Sequence, residues 1–177
     1  MAAMSISDAC ILQVEDDAND VLLLQHGFDR AGIKNPVRVA TDGQMAIDYL
    51  AGAGPYRDRQ RFPMPALMLL DLKLPRRSGR EVLEWLRSQP HLGAIVVIIC
   101  TSSRYAGDIG LAYELGANSF LIKPDDASQY VEFARMLKDY WLRYNQFAVI
   151  SDAGWTSQIM GRTSRRPFGR QRPGPEA

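Results

Sequence analysis

The sequence predicts an α/β protein built around a parallel five-stranded sheet, and three observations support this prediction. First, short apolar runs alternate with helical patterns along most of the 177 residues, which is typical of repeated strand–helix units. Second, residues 66–70 are apolar throughout, as expected of a strand buried on both faces of a parallel sheet. Third, charged residues follow directly after three of the runs, at the sheet edge where such proteins bind ligands.

The strands are predicted from apolar runs that end at polar or turn-forming residues. The run at residues 66–70 ends in Asp71, with a proline shortly after, and the run at residues 95–100 is strongly β-branched. The first run leads into the acidic cluster Glu15-Asp16-Asp17, and the last run ends just before Lys123. In chain order, we assign strands to residues 10–14, 37–40, 66–70, 95–100 and 119–122.

The helices are predicted from apolar spacing and from residues that favour helix ends. Gly32 and Gly116 are stop signals for the first and fourth helices, and Ser78 with Glu81 matches a capping box. The first helix has an apolar side formed by Val21, Leu22, Leu24, Phe28 and Ala31. We assign helices to residues 20–32, 43–50, 78–88, 105–115 and 126–145, and we expect the Gly/Pro/Arg-rich loop at residues 52–65 to be mobile.

Five strand–helix repeats imply right-handed crossovers with helices on both faces of the sheet. The flavodoxin-like strand order 2-1-3-4-5 is the natural arrangement, and its switch point lies between the first and third strands. Both of those strands end in carboxylates. We therefore predict one domain at residues 1–147 and a C-terminal extension at residues 148–177, which is first partly apolar, then basic and disordered.

Composition restricts the possible partners and the compartment. The formal net charge of +1 argues against a protein held on nucleic acid mainly by electrostatics. No signal peptide or membrane-spanning run is present, so we expect a cytoplasmic protein without membrane contact. Cys10 and Cys100 are interpreted as buried apolar residues, and His26 and His91 as surface or boundary residues. The ~30 residues after the last helix are too few for a DNA-binding output domain. Their arginines are interpreted as a solvated end, with a nucleic-acid contact as the alternative.

The charged residues at the strand ends predict a magnesium-dependent phosphoryl site. A carboxylate that accepts a phosphoryl group needs a divalent cation, and Glu15, Asp16 and Asp71 supply the oxygen ligands that Mg²⁺ prefers. Lys123 supplies a point charge for the phosphoryl oxygens. Thr101 offers a hydroxyl after the fourth strand, and Ser102 offers its backbone N–H.

In order, residue type and strand position, these residues resemble the receiver domains of two-component response regulators. The matching residues are Glu15-Asp16, Asp71, Thr101 and Lys123-Pro124, and the resemblance covers about residues 8–145. Within that family the chain is most similar to stand-alone receivers that serve bacterial phytochrome kinases. This narrower likeness depends on residues 14–17, 71–75, 113–120 and 139–142.

The resemblance implies a role for each site residue. Asp71 is the phosphoacceptor, and Mg²⁺ is held by Asp16, Asp71 and the backbone carbonyl of Lys73, with Glu15 acting through water. Thr101 and Phe120 form a switch pair that moves on phosphorylation. Two departures from the pattern are Asp17, where the phytochrome-linked receivers often have asparagine, and the long loop at residues 52–65.

The resemblance also implies partners and an activity. A histidine kinase, of the bacteriophytochrome type, phosphorylates the chain. The change is then read out on the fourth helix, the fifth strand and the last helix. The chain is accordingly a signalling protein rather than an enzyme, apart from self-catalysed phosphotransfer and dephosphorylation.

Three alternative functions compete with this interpretation. A haloacid-dehalogenase-like phosphatase needs a second aspartate two residues beyond its nucleophile, where this chain has Lys73. A flavodoxin-type cofactor binder needs a Ser/Thr/Gly-rich loop after the first strand, where Glu15-Asp16-Asp17 would repel a phosphate. A degenerate receiver that acts only as an interaction module would have lost the acceptor site, which is complete here.

The last helix predicts a homodimer. Its apolar arc spans roughly 160°, wider than the ~100° needed to cover one sheet, and would leave aromatic side chains exposed in a monomer. The apolar residues at 148–150, together with Trp155, Ile159 and Met160, could reach a partner subunit. The alternative is that this segment folds back over its own helix and gives a monomer. The arc consists of Tyr130, Phe133, Ala134, Met136, Leu137, Tyr140, Trp141, Tyr144 and Phe147.

Overall fold

A computed structural model of the protein describes residues 9–148. Their five strands form one parallel sheet in the order β2-β1-β3-β4-β5, which confirms the predicted fold class and strand order. Among these residues, no helix is both long and apolar enough to cross a membrane. The strands are β1 (Cys10–Val14), β2 (Val37–Ala40), β3 (Pro65–Leu70), β4 (Val96–Thr101) and β5 (Ser119–Ile122).

The helices follow the predicted positions with shifted ends. α1 begins at Ala18, two residues before the predicted start, because the Asp17 carboxylate accepts hydrogen bonds from the N–H groups of Asn19 and Asp20 and caps the helix. The predicted capping box of Ser78 and Glu81 is present. The helices are α1 (Ala18–Ala31), α2 (Gly43–Ala51), α3 (Gly79–Ser88), α4 (Ala106–Glu114) and α5 (Tyr130–Leu137), with single 3₁₀ turns at Gly54–Arg57, Pro90–Leu92 and Ala127–Gln129.

Alternate residues of each strand belong to two apolar layers on opposite sides of the sheet. Leu24 and Phe28 of α1 and Leu137 of α5 pack over one side. On the other side the layer is formed by α2, α3 and α4, for example by Leu83. Leu22 is 64% exposed, so its predicted place on the apolar side of α1 was wrong.

α1 and α5 lie unusually close together. A Cβ added to Gly27 would lie 2.5 Å from the backbone oxygen of Tyr130, a separation that no side chain tolerates. At the far end of α1, Lys138 Nζ donates a hydrogen bond to the carbonyl of Ala31 at 2.7 Å. Both ends of α5 therefore lie against the C-terminal half of α1.

The loop at residues 52–65 is held against the domain, which differs from the mobile loop that its composition predicted. The guanidinium of Arg59 donates hydrogen bonds of 2.8 Å to the carbonyls of Tyr49 and Leu50 at the end of α2. The rings of Tyr56 and Phe62 meet edge to face, 5.1 Å apart, and pack on the core. Each of these contacts joins residues that are separated in the sequence, and the local composition of the loop does not predict them.

The sequence predicts one regular α-helix at the end of the domain, and this prediction was wrong. The helix changes at Lys138 into a π-helical segment, Lys138–Tyr144. The wider π turn makes a wheel drawn at ~100° per residue invalid beyond Leu137. Leu142, which was absent from the predicted apolar arc, is buried. Met136, Tyr140 and Tyr144 are 43%, 59% and 70% exposed, so part of the arc does face solvent. The predicted extension from residue 149 onwards lies outside the described residues.

The cysteines and histidines have the predicted environments. Cys10 and Cys100 are buried and unpaired on strands that β3 separates. Burial raises the pKa of the Cys100 thiol to about 12, so it remains protonated and chemically inert. His26 and His91 are exposed.

Candidate functional site

The predicted carboxylates meet at the carboxyl edge of the sheet because β1 and β3 are neighbours. Val14 pairs with Leu70, and the Asp71 N–H donates to the Val14 carbonyl at 3.1 Å. Glu15 and Asp71 are only 4% and 6% exposed, whereas Asp16 is exposed. One carboxylate oxygen from each of these three residues lies within 4.8 Å of the others. The switch point thus holds three acidic side chains, as predicted.

Lys123 reaches this cluster from the end of β5, two strands away from β3. Its backbone N–H donates to the Thr101 carbonyl at 2.9 Å, which extends the ladder between β4 and β5. Its ammonium lies 2.7 Å from Asp71 Oδ2 and 2.5 Å from Glu15 Oε2. A third carboxylate, that of Asp20, lies 2.7 Å away. The single ammonium is therefore shared by three acids.

Burial and charge act against each other on the ionisable groups of the site. Burial raises the pKa of the Glu15 carboxyl, and the nearby Lys123 ammonium only partly offsets this effect. Burial alone would lower the pKa of Lys123, but hydrogen bonds to Asp20, Asp71 and Glu15 outweigh it and raise the pKa. Lys123 is thus a permanent cation, whereas a charged Glu15 needs a cationic neighbour.

The residues present fit a hard divalent cation. Three converging carboxylates are an oxygen donor set of the kind that Mg²⁺ and Mn²⁺ prefer. The ligand oxygens are held in place, since the Asp17 N–H donates to Glu15 Oε1 and the Lys73 N–H donates to Asp71 Oδ1, both at 3.2 Å. Asp17 itself caps α1, so its carboxylate serves the helix rather than the acidic cluster.

Thr101, Ser102 and Phe120 lie where the sequence predicts, with one correction. Thr101 is the last residue of β4 rather than the residue after it, and it is fully buried. Its Oγ1 accepts a hydrogen bond from the Ser103 N–H at 3.4 Å. Ser102 follows on the exposed loop, and Phe120 is partly buried in β5, where it packs on the layer formed by α2, α3 and α4.

The site residues face different sides of the sheet. Thr101 pairs with Ile122, and Phe120 pairs with Ile99, a residue of the layer under α2, α3 and α4. Because side chains alternate along a strand, Thr101 and Phe120 share that side, whereas Lys123 belongs to the side covered by α1 and α5. The cavity beside Lys123 is accordingly lined by residues of α1 and α5, among them Asp20, Leu24 and Tyr130.

Sequence reasoning missed three polar residues of this cavity. The sequence indicates only a helix start at Asp20 and only a place in the apolar arc for Tyr130. Gln13 was read as part of an apolar strand; it is 3% exposed, and its Oε1 has no hydrogen-bond partner within the part of the chain that the structure describes. The available signal was an acidic residue about one helical turn after Glu15-Asp16, together with a tyrosine that opens the last helix.

The geometry agrees with a comparison against known protein families. The family model described as "Response regulator receiver domain" matches residues 11–135. The chain belongs to the response regulator receiver domain family. Its place in the family confirms the likeness predicted from the sequence, and it implies a histidine kinase as partner. Receiver domains are signalling domains that accept a phosphoryl group and bind Mg²⁺ or Mn²⁺.

Individual relatives cover most of this receiver. Response regulator Rcp1 of Synechocystis is 33% identical over 132 residues, which are 75% of this chain and 88% of Rcp1. The phosphorylated cyanobacterial phytochrome response regulator RcpA has a TM-score of 0.75 at 31% identity, covering 80% of this chain and 99% of RcpA. RPA3017, a response regulator in red light signaling of R. palustris, has a TM-score of 0.75 at 36% identity, covering 80% of this chain and 99% of RPA3017.

Proposed function

We propose that Asp71 accepts a phosphoryl group from a histidine kinase and that the resulting charge switches the receiver domain. The observation that carries this proposal is the Lys123 ammonium held 2.7 Å from Asp71 Oδ2, beside Glu15 and Asp16. An acceptor, a cation for the phosphoryl oxygens and a metal-binding acidic pair thus meet at one sheet edge.

In the proposed reaction the chain supplies position and charge. The Lys73 N–H holds Asp71 Oδ1, and Lys123 holds Oδ2, so the carboxylate is oriented before the donor arrives. A carboxylate oxygen of Asp71 attacks the phosphorus of the kinase phosphohistidine, the P–O bond forms as the P–N bond breaks, and the imidazole leaves with the bonding pair. The same groups support self-catalysed transfer from a small phosphodonor and later hydrolysis.

The metal in this proposal is Mg²⁺. Asp16, Asp71 and the Lys73 backbone carbonyl would hold it, with Glu15 acting through water. When bound, it neutralises the charge on the phosphoryl oxygens. The acidic cluster supports this assignment, as does the Mn²⁺-bound structure of Rcp1, which has a TM-score of 0.73 and 31% identity to this chain.

The proposed response begins at Thr101 and Ser102. Once Asp71 carries a phosphoryl group, the Thr101 hydroxyl and the Ser102 N–H turn towards its oxygens, and Phe120 follows into the space that Thr101 leaves. The Ser103 N–H that now bonds Thr101 Oγ1 links this movement to the loop before α4. The altered surface is then the one formed by α4, β5 and α5.

The proposed kinase is a bacterial phytochrome, and the proposed compartment is the cytoplasm. Similarity to RcpA and RPA3017, whose descriptions refer to a phytochrome and to red light signaling, supports this partner. The proposed assembly is a homodimer through the last helix and the C-terminal extension. The solvent exposure of Met136, Tyr140 and Tyr144 supports this interface.

Labelling tests the acceptor assignment. The full chain is incubated with candidate histidine kinases and Mg-ATP carrying a γ-phosphoryl label, and in parallel with labelled acetyl phosphate. We expect base-labile label on the wild type and none on Asp71→Asn, whereas Asp125→Asn, an exposed acid after β5, labels normally. Full labelling of Asp71→Asn would refute the assignment.

A further inference from the structure

Asp20 lies outside the residues assigned above, yet it contacts the cation at their centre. Its Oδ2 accepts a hydrogen bond from Lys123 Nζ at 2.7 Å, and its side chain is only 30% exposed. A lysine ammonium has three N–H donors, and here three carboxylates lie within hydrogen-bond distance of it. Asp20 therefore takes one donor direction and orients the other two towards Glu15 and Asp71.

The second oxygen of Asp20 extends the network to α5. The Tyr130 hydroxyl donates a hydrogen bond to Asp20 Oδ1 at 3.3 Å. Tyr130 is 4% exposed and is the first residue of α5. Its backbone oxygen is the atom that approaches Gly27, so the first turn of α5 packs directly on the backbone of α1. One continuous chain of contacts thus runs from Asp71 through Lys123 and Asp20 to the first turn of α5.

We propose that Asp20 is a positioning residue for Lys123 and that the Lys123–Asp20–Tyr130 contacts transmit the state of Asp71 to α5. The proposal rests on the phosphoacceptor role of Asp71 given above. A phosphoryl group carries about −1.5 to −2 charges and competes with Asp20 for the ammonium. As Lys123 shifts towards the phosphoryl oxygens, the Asp20 carboxylate takes a stronger hydrogen bond from Tyr130 in compensation. The first turn of α5 is then held more tightly to α1.

This route is separate from the Thr101–Phe120 pair because it uses the other side of the sheet. Thr101 and Phe120 face the layer of α2, α3 and α4, whereas Lys123, Asp20 and Tyr130 line the cavity under α1 and α5. The receiver therefore has two outputs from one acceptor. The tightening of the first turn of α5 against α1 depends on Asp20 and not on Phe120.

Amide hydrogen exchange of α5 tests the proposal with beryllofluoride as the phosphoryl probe. Exchange of the amides of residues 131–134 is measured in the full chain with Mg²⁺, with and without beryllofluoride. In the wild type we expect beryllofluoride to slow exchange about fivefold or more, which corresponds to roughly 1 kcal/mol of coupling. Asp20→Asn and Tyr130→Phe each remove one contact of the chain and should reduce the slowing to less than about twofold.

Two matched variants distinguish transmission from general loosening. Asp29→Asn removes an exposed acid from the same helix, and Tyr49→Phe removes a buried tyrosine hydroxyl on the opposite side of the sheet. Both should keep the wild-type slowing. A second readout is the side-chain ammonium signal of Lys123 in ¹H–¹⁵N spectra, whose proton exchange should be faster in Asp20→Asn and unchanged in Asp29→Asn.

Two different results would overturn the proposal, and they distinguish failure of the transmission from failure of the phosphoacceptor role. A wild type that labels at Asp71, with Asp20→Asn or Tyr130→Phe keeping the full slowing of α5, would overturn the transmission alone. A wild type that takes no label at Asp71 would overturn the phosphoacceptor role and the transmission with it.

Discussion

Lys123 Nζ lies 2.7 Å from Asp71 Oδ2, although β4 separates the strands that carry them. Both residues are buried, at 8% and 6% exposed. Removing one partner of a buried ion pair costs more than the pair contributes, because the other charge is left uncompensated. If Asp71 is the phosphoacceptor proposed above, the pair is expected to link stability and signalling in this receiver.

Lys123→Ala is expected to separate these two effects. Loss of the cation leaves three carboxylates in mutual repulsion, so the metal-free protein should lose roughly 3 kcal/mol or more of unfolding free energy. Mg²⁺ should still bind, whereas labelling at Asp71 should fall strongly. Urea unfolding and acetyl phosphate labelling measure the two quantities, with Lys34→Ala, an exposed lysine before β2, as control. Lower stability with wild-type labelling would show that Lys123 is only a structural cation, and wild-type behaviour in both assays would contradict both roles.

Asp16→Asn is expected to remove the response to Mg²⁺. The wild type should gain about 2.7 kcal/mol of unfolding free energy at a metal concentration 100 times the dissociation constant, because only the folded chain holds the three carboxylates together. Asp16→Asn should gain far less. Asp17→Asn should gain nearly as much as the wild type, since that carboxylate caps α1. Thermal melts with and without MgCl₂ test this, and equal gains in Asp16→Asn and wild type would contradict the metal site.

Gly27→Ala is expected to destabilise the domain despite the better helix propensity of alanine. The new methyl group would lie 2.5 Å from the Tyr130 oxygen, so α5 must move away, at a cost of about 1–3 kcal/mol. Gly110→Ala in α4 is the matched control. Apart from its chain neighbours and the backbone of its own helix, no atom of residues 9–148 lies within 4 Å of the position of its Cβ, and the substitution should stabilise by up to about 1 kcal/mol. Urea unfolding of both variants decides the matter, and equal stabilisation would refute the close contact.

The Tyr49 hydroxyl is expected to make the unfolding free energy of the protein fall at high pH. Burial raises the pKa of its hydroxyl well above the usual value, and the hydroxyl donates to the Pro63 carbonyl at 2.8 Å. Above about pH 10 the unfolded state loses this proton while the folded state keeps it, so unfolding releases a proton. The stabilising contribution is complete below that pH and falls by about 1.4 kcal/mol per unit above it. Tyr49→Phe should show a shallower alkaline decline in unfolding free energy, and an unchanged slope would refute the assignment.

The proposed dimer is expected to depend on the exposed tyrosines of the last helix. Tyr140→Ser with Tyr144→Ser removes two large side chains that are 59% and 70% exposed. Sedimentation at high micromolar concentration should give a dimer for the wild type and mostly monomer for the double variant. Leu22→Ser, which changes an apolar residue 64% exposed on α1, is the control and should remain dimeric. A wild type that stays monomeric, phosphorylated or not, would rule the dimer out.

The sequence by itself determined the strand order and the identity of the acidic site. Apolar runs such as the one before Asp71 are local signals, and the direction of a parallel sheet brings all their carboxyl ends to one edge. Glu15, Asp16, Asp71, Thr101 and Lys123 could therefore be named without knowing any contact. Capping at Asp17 and Ser78 is equally local, because it joins residues two or three positions apart.

Only the tertiary structure decided which side of the sheet each site residue faces and which helix residues join the site. Asp20 and Tyr130 are 110 positions apart, and the packing of α1 on α5 brings them together. Packing also decides two other features. They are the hydrogen bonds that Arg59 donates to the end of α2 and the change to a π-helix at Lys138. The spacing of apolar residues in a sequence predicts local backbone geometry. The features named here follow instead from contacts between elements that lie far apart in the sequence.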